Sequence, residues 1–341
     1  MLTEKIKIMR NIVIIICFLG IVLSSCQKED SIGSPYPIRE DYILSQGNAS
    51  QAANDKIQEI YDTYGSYIIY DFTQKDADWQ EASSTGAISN PYVVDKATPE
   101  GVENFLKLID KGWLKFIPDN QLKGKWLPYR VLLADTVKQT RKPNTYSPSQ
   151  RNPLYYPSRV TGMSLTFADT YRKKNMTQEE AVTEKNKMNL IVWNYYMDKG
   201  LVDLSPIYEE ITALSNYSPG SGLGWGTIAD EAVYTRGFAP HLMISTTTTF
   251  ALTADVVFAL VKPNWYAGIY SSTTPSLTYG APDTKGFLYY MLCYDQSVVA
   301  PALENYPLFK QKYDIVRNYM INTYGIDPQA IGNANAGFTL N

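Results

Sequence analysis

The sequence predicts an α+β fold, with helices and strands mixed in its first half and a mostly helical second half. Three observations predict it. Apolar residues recur at helical spacing from about Ser50 onward. Runs rich in β-branched and aromatic residues at 66–73, 128–137 and 161–170 fall between helical segments. Past Gly200 such runs give way to apolar helical stretches. The 341 residues are 45% hydrophobic and 19% charged, the profile of a folded globular chain. A net charge of −3 without a long basic block argues against a general nucleic-acid partner.

The chain opens with Lys5, Lys7 and Arg10, followed by the apolar run IVIIICFLGIVL at 12–23, which has the length of a signal peptide. The small residues before Cys26, in LSSCQKED, resemble a bacterial lipobox. On that reading residues 1–25 are removed and Cys26 is acylated; the bland alternative is an ordinary secretory signal with an incidental cysteine. Stable anchoring needs more than one acyl chain, a condition that a multiply acylated Cys26 meets. QKED resembles a short acidic surface-export signal. Cleavage removes Cys17 and lipidation occupies Cys26, which leaves Cys293 without an intramolecular disulfide partner.

Residues 26–48 read as a tether, 49–200 as an α+β subdomain and 201–341 as a mostly helical subdomain. In SQAANDKIQEIYDTYG, Ile57, Ile60, Tyr61 and Tyr64 share a helical face that stops at Gly65. A strand is expected over 66–73. A second helix opens at Thr98-Pro99 and buries Val102, Phe105, Leu106, Ile109 and Trp113. PYRVLLADTV reads as an apolar strand, TGMSLTFADT as an alternating one, and the Pro- and Ser-rich segment between them as a long loop.

Thr177-Gln-Glu-Glu180 is a capping box that opens a helix closing at Gly200, with Ala181, Met188, Ile191, Val192 and Tyr195 inward. LSPIYEEITALSNY, DEAVYTRGFAPHLM and TADVVFALV are further helix candidates. SSTTPSLTYGAPDT is expected to be a loop. The last helix starts at Pro307, buries Phe309, Ile315, Val316, Tyr319 and Met320, and ends at Gly325.

Chemistry-bearing residues are sparse. His241 is the sole histidine, no GxSxG elbow occurs, and a structural role for His241 outweighs a triad. The glycine-rich PGSGLGWG lacks the GK[ST] of a phosphate loop. Glu209-Glu210, Asp230-Glu231, Asp71, Asp135 and Asp169 could pair as glycosidase carboxylates, but adjacent acids are more often solvated surface. Of the 27 tyrosines most sit beside aliphatics at helical spacing, as core residues do; Tyr155 and Tyr156, in the long loop, are the candidates for a ligand platform.

In order and spacing, WLPYRVLLADTV, the helix 177–200, PIYEEITALSNY, AVYTRGFAPHLM, TADVVFALV and KYDIVRNYMINTYGIDPQAI resemble a family of zinc-binding metallopeptidase lipoproteins. That family is associated with TonB-dependent nutrient uptake in Gram-negative bacteria. The resemblance implies a zincin-like fold, with a small mixed sheet packed on helices, and an HExxH motif on the helix matching 177–200. Two histidines at i and i+4 grip one Zn²⁺ while the glutamate serves as general base. Here the matching residues are Trp193, Asn194, Tyr195, Tyr196 and Met197, and Asp255 stands as a remnant of a later acidic segment. The zinc that the family expects has therefore lost its ligands, so no cofactor is expected.

The reading that follows is a catalytically degenerate, lipid-anchored outer-membrane protein, surface-exposed, that serves as a binding or accessory component of nutrient uptake. Its expected partners are the membrane, through Cys26, uptake components, and a peptide or glycan. Two alternatives stand beside it: an active metallohydrolase using oxygen-rich ligands and His241, and a glycan-binding or glycan-cleaving lipoprotein.

Overall fold

A computed structural model of the chain describes residues 42–44, 47, 49–78, 92–139, 153–162, 164–168, 176–214, 234–239 and 277–340. Residues 44–341 form one compact unit. Of the separate unit Met1–Ile43, Tyr42 and Ile43 are described, so the signal segment and Cys26 lie outside the described residues.

Helix α1 (Gln51–Tyr64) starts where the Ser50 side chain accepts from the Ala53 amide, and stops at Gly65, whose φ of 71° suits a residue without Cβ. Ala53, Ile57 and Ile60 form its buried stripe. Strand β1 (Tyr67–Ile69) is shorter than the expected 66–73. Beyond it a capping box, in which Thr73 and Asp76 exchange side-chain-to-backbone bonds, opens the short helix α2 (Gln74–Ala77).

After β2 (Tyr92–Lys96) comes α3 (Pro99–Gly112), with Pro99 in its first turn. Thr98 holds the N-cap position in extended conformation, yet its side chain makes no capping bond. Val102, Phe105, Leu106 and Ile109 are buried along one face, and Trp113 just beyond the helix is 1% exposed. The one-turn α4 (Asp119–Gln121) runs into a π-turn at Leu122–Trp126.

The sheet is built around β3 (Arg130–Gln139), in which Val131, Leu132, Leu133 and Ala134 are fully buried. Burial of both faces is what a central strand requires. The first half of β3 pairs in parallel with β1 and with β6 (Ser164–Phe167). Its second half pairs antiparallel with β2 and with β4 (Leu154–Tyr156). Beyond β6 lies β5 (Ser158–Thr161), antiparallel and at the edge, so the six-stranded sheet is mixed.

The segment 161–170 divides into β5 and β6 around Gly162, whose φ is 51°. Its alternation is chemical. Leu165 and Phe167 turn to one face and Ser164 and Thr166 to the other, but all four are buried.

The apolar face meets helices: Phe167 packs edge-on against Phe105 of α3 and against Trp113. The polar face carries Arg130, Thr161, Ser164, Thr166 and Arg159 in adjoining registers. Arg130 donates Nε to the Ser164 hydroxyl (2.8 Å), and Thr161 donates to the Ala77 carbonyl (3.4 Å). Helix α2 thus lies across this face.

Helix α5 (Gln178–Asp198) begins with the expected Thr177–Glu180 capping box, and Gly200 follows at φ 66°. Helices α6 (Tyr208–Ala213), α7 (Leu277–Cys293), α8 (Gln296–Asn305), α9 (Pro307–Tyr324) and α10 (Pro328–Asn333) follow, and α7 touches α5, α6, α9 and α10.

Three further segments differ from expectation. The loop expected over 271–284 is cut short because α7 starts at Leu277; burial of Asp283, Thr284 and Phe287 through Cys293 in the interior outweighs the local preference of Gly280 and Pro282 for a turn. The helix expected over DEAVYTRGFAPHLM stops at Thr235 within the described stretch 234–239, where Gly237 turns at φ 72° against Leu308. On α9 the buried set is Phe309, Lys312, Tyr313, Val316 and Met320, leaving Ile315 and Tyr319 half-buried. That face is turned toward Asp283 of α7, which draws Lys312 into a buried ion pair.

Candidate functional site

The last turns of α5 hold the residues for which the sequence resemblance implies a metal-binding motif. The helix projects Trp193 and Met197 from one face, one turn apart. Trp193 is fully buried. Its ring meets Trp126 edge-on at 6.4 Å and Tyr196 at 5.6 Å, while Trp126 lies 4.6 Å from Tyr196 and 5.8 Å from Tyr324. These are the offset and edge-to-face geometries that aromatic quadrupoles favour. Trp113 donates its Nε1–H to the Tyr196 hydroxyl oxygen at 2.7 Å, whereas the Trp193 Nε1 has no hydrogen-bond partner among the described residues. Burial pushes the Tyr196 hydroxyl far above the ordinary tyrosine range, so it stays a neutral hydrogen-bonding group.

Asn194 is the residue that the sequence resemblance sets at the general-base position. Its amide nitrogen donates to the Leu190 carbonyl at 3.0 Å, and its oxygen accepts from the Tyr289 hydroxyl of α7 at 2.5 Å. The side chain is half-buried and tied at both ends. Met197 is half-buried and supplies a thioether. An indole N–H has no lone pair for a metal, zinc sites are built from thiolate, imidazole and carboxylate donors and not a thioether, and a carboxamide does not take a proton near neutrality. Trp193, Asn194 and Met197 therefore do not fit a zinc centre. Among the described residues no group of three or more His, Cys, Asp or Glu is arranged to hold a metal ion. His241 and Asp255 lie outside the described residues.

The other candidates scatter. Tyr155 and Tyr156 sit on β4, paired with Lys138 and Val137 of β3, where a loop was expected. Tyr156 donates to the Gln139 side-chain oxygen at 3.1 Å and packs edge-on against Tyr92 at 5.2 Å. Both rings are half-buried, because strand pairing continues through the end of the Pro- and Ser-rich segment. Glu209 and Glu210 are exposed on α6. Asp71 pairs with Lys96 at 2.6 Å on the surface, Asp135 lies within β3, and Asp169, Asp230 and Glu231 fall outside the described residues.

No protein-family profile matches the chain, and no curated protein matches it. Among solved structures it is similar to a crystal structure from Bacteroides caccae described as a "putative zinc-binding metallo-peptidase". The identity is 12%, the TM-score is 0.44, and the match covers 86% of this chain and 97% of the other. At that identity and score the likeness carries no argument about activity.

The sequence reading missed two buried lysines. Lys185 on α5 is fully buried and donates to the Ile331 carbonyl at 2.7 Å; burial pushes its pKa down to about 8. Lys312 is fully buried, pairs with Asp283 and lies 4.5 Å from the centre of the Phe238 ring. A signal for Lys185 was present. It sits between Ala181 and Met188 in the register of the buried stripe, where a solvated lysine does not belong.

Proposed function

We propose that this chain is a lipid-anchored cell-envelope protein of the zinc metallopeptidase-like type, acting as a binding or accessory component of nutrient uptake without hydrolytic chemistry. The observation that carries this reading is the filling of α5's last turns. Trp193 is fully buried edge-on against Trp126 and Tyr196, and Asn194 spans from Leu190 to Tyr289. A catalytic zinc needs an open coordination position and a proton acceptor beside it. Rings and a tied amide offer neither. The apolar leader, the LSSC run and the tether after it support anchoring through Cys26 at the outer membrane.

Metal analysis of the purified chain together with a peptidase assay tests the first part. The expected result is less than stoichiometric zinc and no chelator-sensitive cleavage; stoichiometric zinc with such cleavage would overturn it. Labelling cells with a radioactive fatty acid tests the second part. Label is expected on the native chain and absent from Cys26→Ala, and equal labelling of both refutes the anchor.

A further inference from the structure

The outer edge of β2 is occupied by a side chain that imitates a strand. The Gln74 amide nitrogen donates to the Tyr92 carbonyl at 2.9 Å, and the Gln74 side-chain oxygen accepts from the Val94 amide at 3.1 Å. Bonding the carbonyl of one residue and the amide two residues on is what one residue of a parallel neighbouring strand does. The bridge is centred on Val93, which is 40% exposed. Residues 93 and 95 are left to face β3, and β2 keeps its antiparallel register with that strand.

The imitation is held in place by a closed ring of contacts. The Gln74 nitrogen also donates to Asp78 at 2.8 Å. The other oxygen of Asp78 accepts from Arg159 at 2.8 Å. The Arg159 guanidinium lies 4.4 Å from the centre of the Tyr92 ring, which returns the ring of contacts to the residue whose carbonyl Gln74 holds. Arg159 is 6% exposed, so the anchor is fixed in the interior, while the bonds at the edge lie near solvent.

We propose that Gln74 is an edge guard: it closes β2 against addition of an extended strand, and the strand it excludes is the β2 of a second copy of this chain. Unpaired strand edges invite such pairing, and proteins block them with covering side chains or charges. A second copy fits because two β2 strands related by a two-fold axis present the same edge to each other. In that pairing the exposed Val93 side chains of the two copies fall close together.

Sedimentation velocity of the purified chain over a range of concentrations tests the proposal. The Gln74→Ala chain is expected to self-associate at least about tenfold more tightly than the native chain, and Q74A/V93K is expected to lose that gain. Gln74→Glu keeps the acceptor for the Val94 amide and loses the donor to Tyr92; it is expected to associate to an intermediate degree, and it decides the matter if Q74A does not fold. Hydrogen exchange at the Val94 amide is expected to quicken in dilute Q74A and to slow as the dimer forms. A variant whose mass stays native-like at every concentration, or a dimer untouched by Val93→Lys, would overturn the proposal.

Discussion

Lys185 on α5 donates its ammonium to the Ile331 carbonyl of α10 across 2.7 Å with no exposed surface of its own. The bond ties the C-terminal helix to α5. Desolvation pulls the pKa from 10.5 to about 8, with a smaller opposing contribution from the Cys293 thiol. The folded chain therefore binds this proton less tightly than the unfolded chain does. Between about pH 8 and 10.5 the unfolded state holds the extra proton, so this group makes stability rise with pH through that window, by up to roughly 3 kcal/mol. Cys293, pushed up to about 12 by burial, acts in the opposite sense above pH 9. The check is the difference in urea midpoint between native and Lys185→Met chains from pH 7 to 10. The variant is expected to be the more stable at pH 7, with its advantage shrinking as pH rises. A constant difference would refute this account.

Gly332 marks the closest helix approach among the described glycines. A Cβ there would stand 2.1 Å from the Met291 carbonyl oxygen and 2.2 Å from that of Tyr294. Both obstacles are backbone, which cannot rotate aside. Gly332→Ala is expected to cost about 3 kcal/mol or more, seen as a fall in thermal midpoint. Gly65→Ala, with nothing within 4 Å but a φ of 71°, should cost only about 1 kcal/mol.

Trp113 and Trp193 are both buried, but only the first has a described partner for its N–H. Replacing each by Phe removes similar ring area. Trp113→Phe also strips the Tyr196 hydroxyl of its donor, so it is expected to be the more damaging by about 1 kcal/mol in chemical denaturation. Equal losses would show that the Trp113–Tyr196 bond contributes nothing net.

Asp283 and Lys312 form an ion pair with 2% and 0% side-chain exposure. Removing Asp283 takes away the carboxylate that offsets the buried Lys312 charge. Asp283→Asn is expected to cost about 3–5 kcal/mol, whereas Asp283→Leu with Lys312→Met should recover most of that loss. Denaturant titration of the two variants at pH 7 distinguishes these outcomes.

Signals that act over three or four residues were readable without coordinates. The Thr177–Glu180 box opens α5, Pro307 and Gly325 bound α9, and Ser50 and Gly65 bound α1, because caps depend on bonds within one turn. The Thr73–Asp76 box is equally local, and the strand expected over 66–73 ends on its first residue.

What a helix or strand faces could not be read this way. Ile315 and Tyr319 satisfy the apolar spacing of α9 as well as any residues, yet Lys312 and Tyr313 are the buried ones, since Asp283 of α7 and Gln329 of α10 wait on that side. Tyr155 and Tyr156 lie in a sequence rich in loop formers, and only pairing with β3 makes them strand residues. Side-chain identity at 193, 194 and 197 is written in the sequence, and no imidazole or carboxylate is among the three. The packing of Trp126, distant along the chain, against Trp193 and the hold of Tyr289 from α7 on Asn194 are set by the tertiary structure. Ligand chemistry belongs to each residue alone, while closure depends on neighbours that local sequence does not specify.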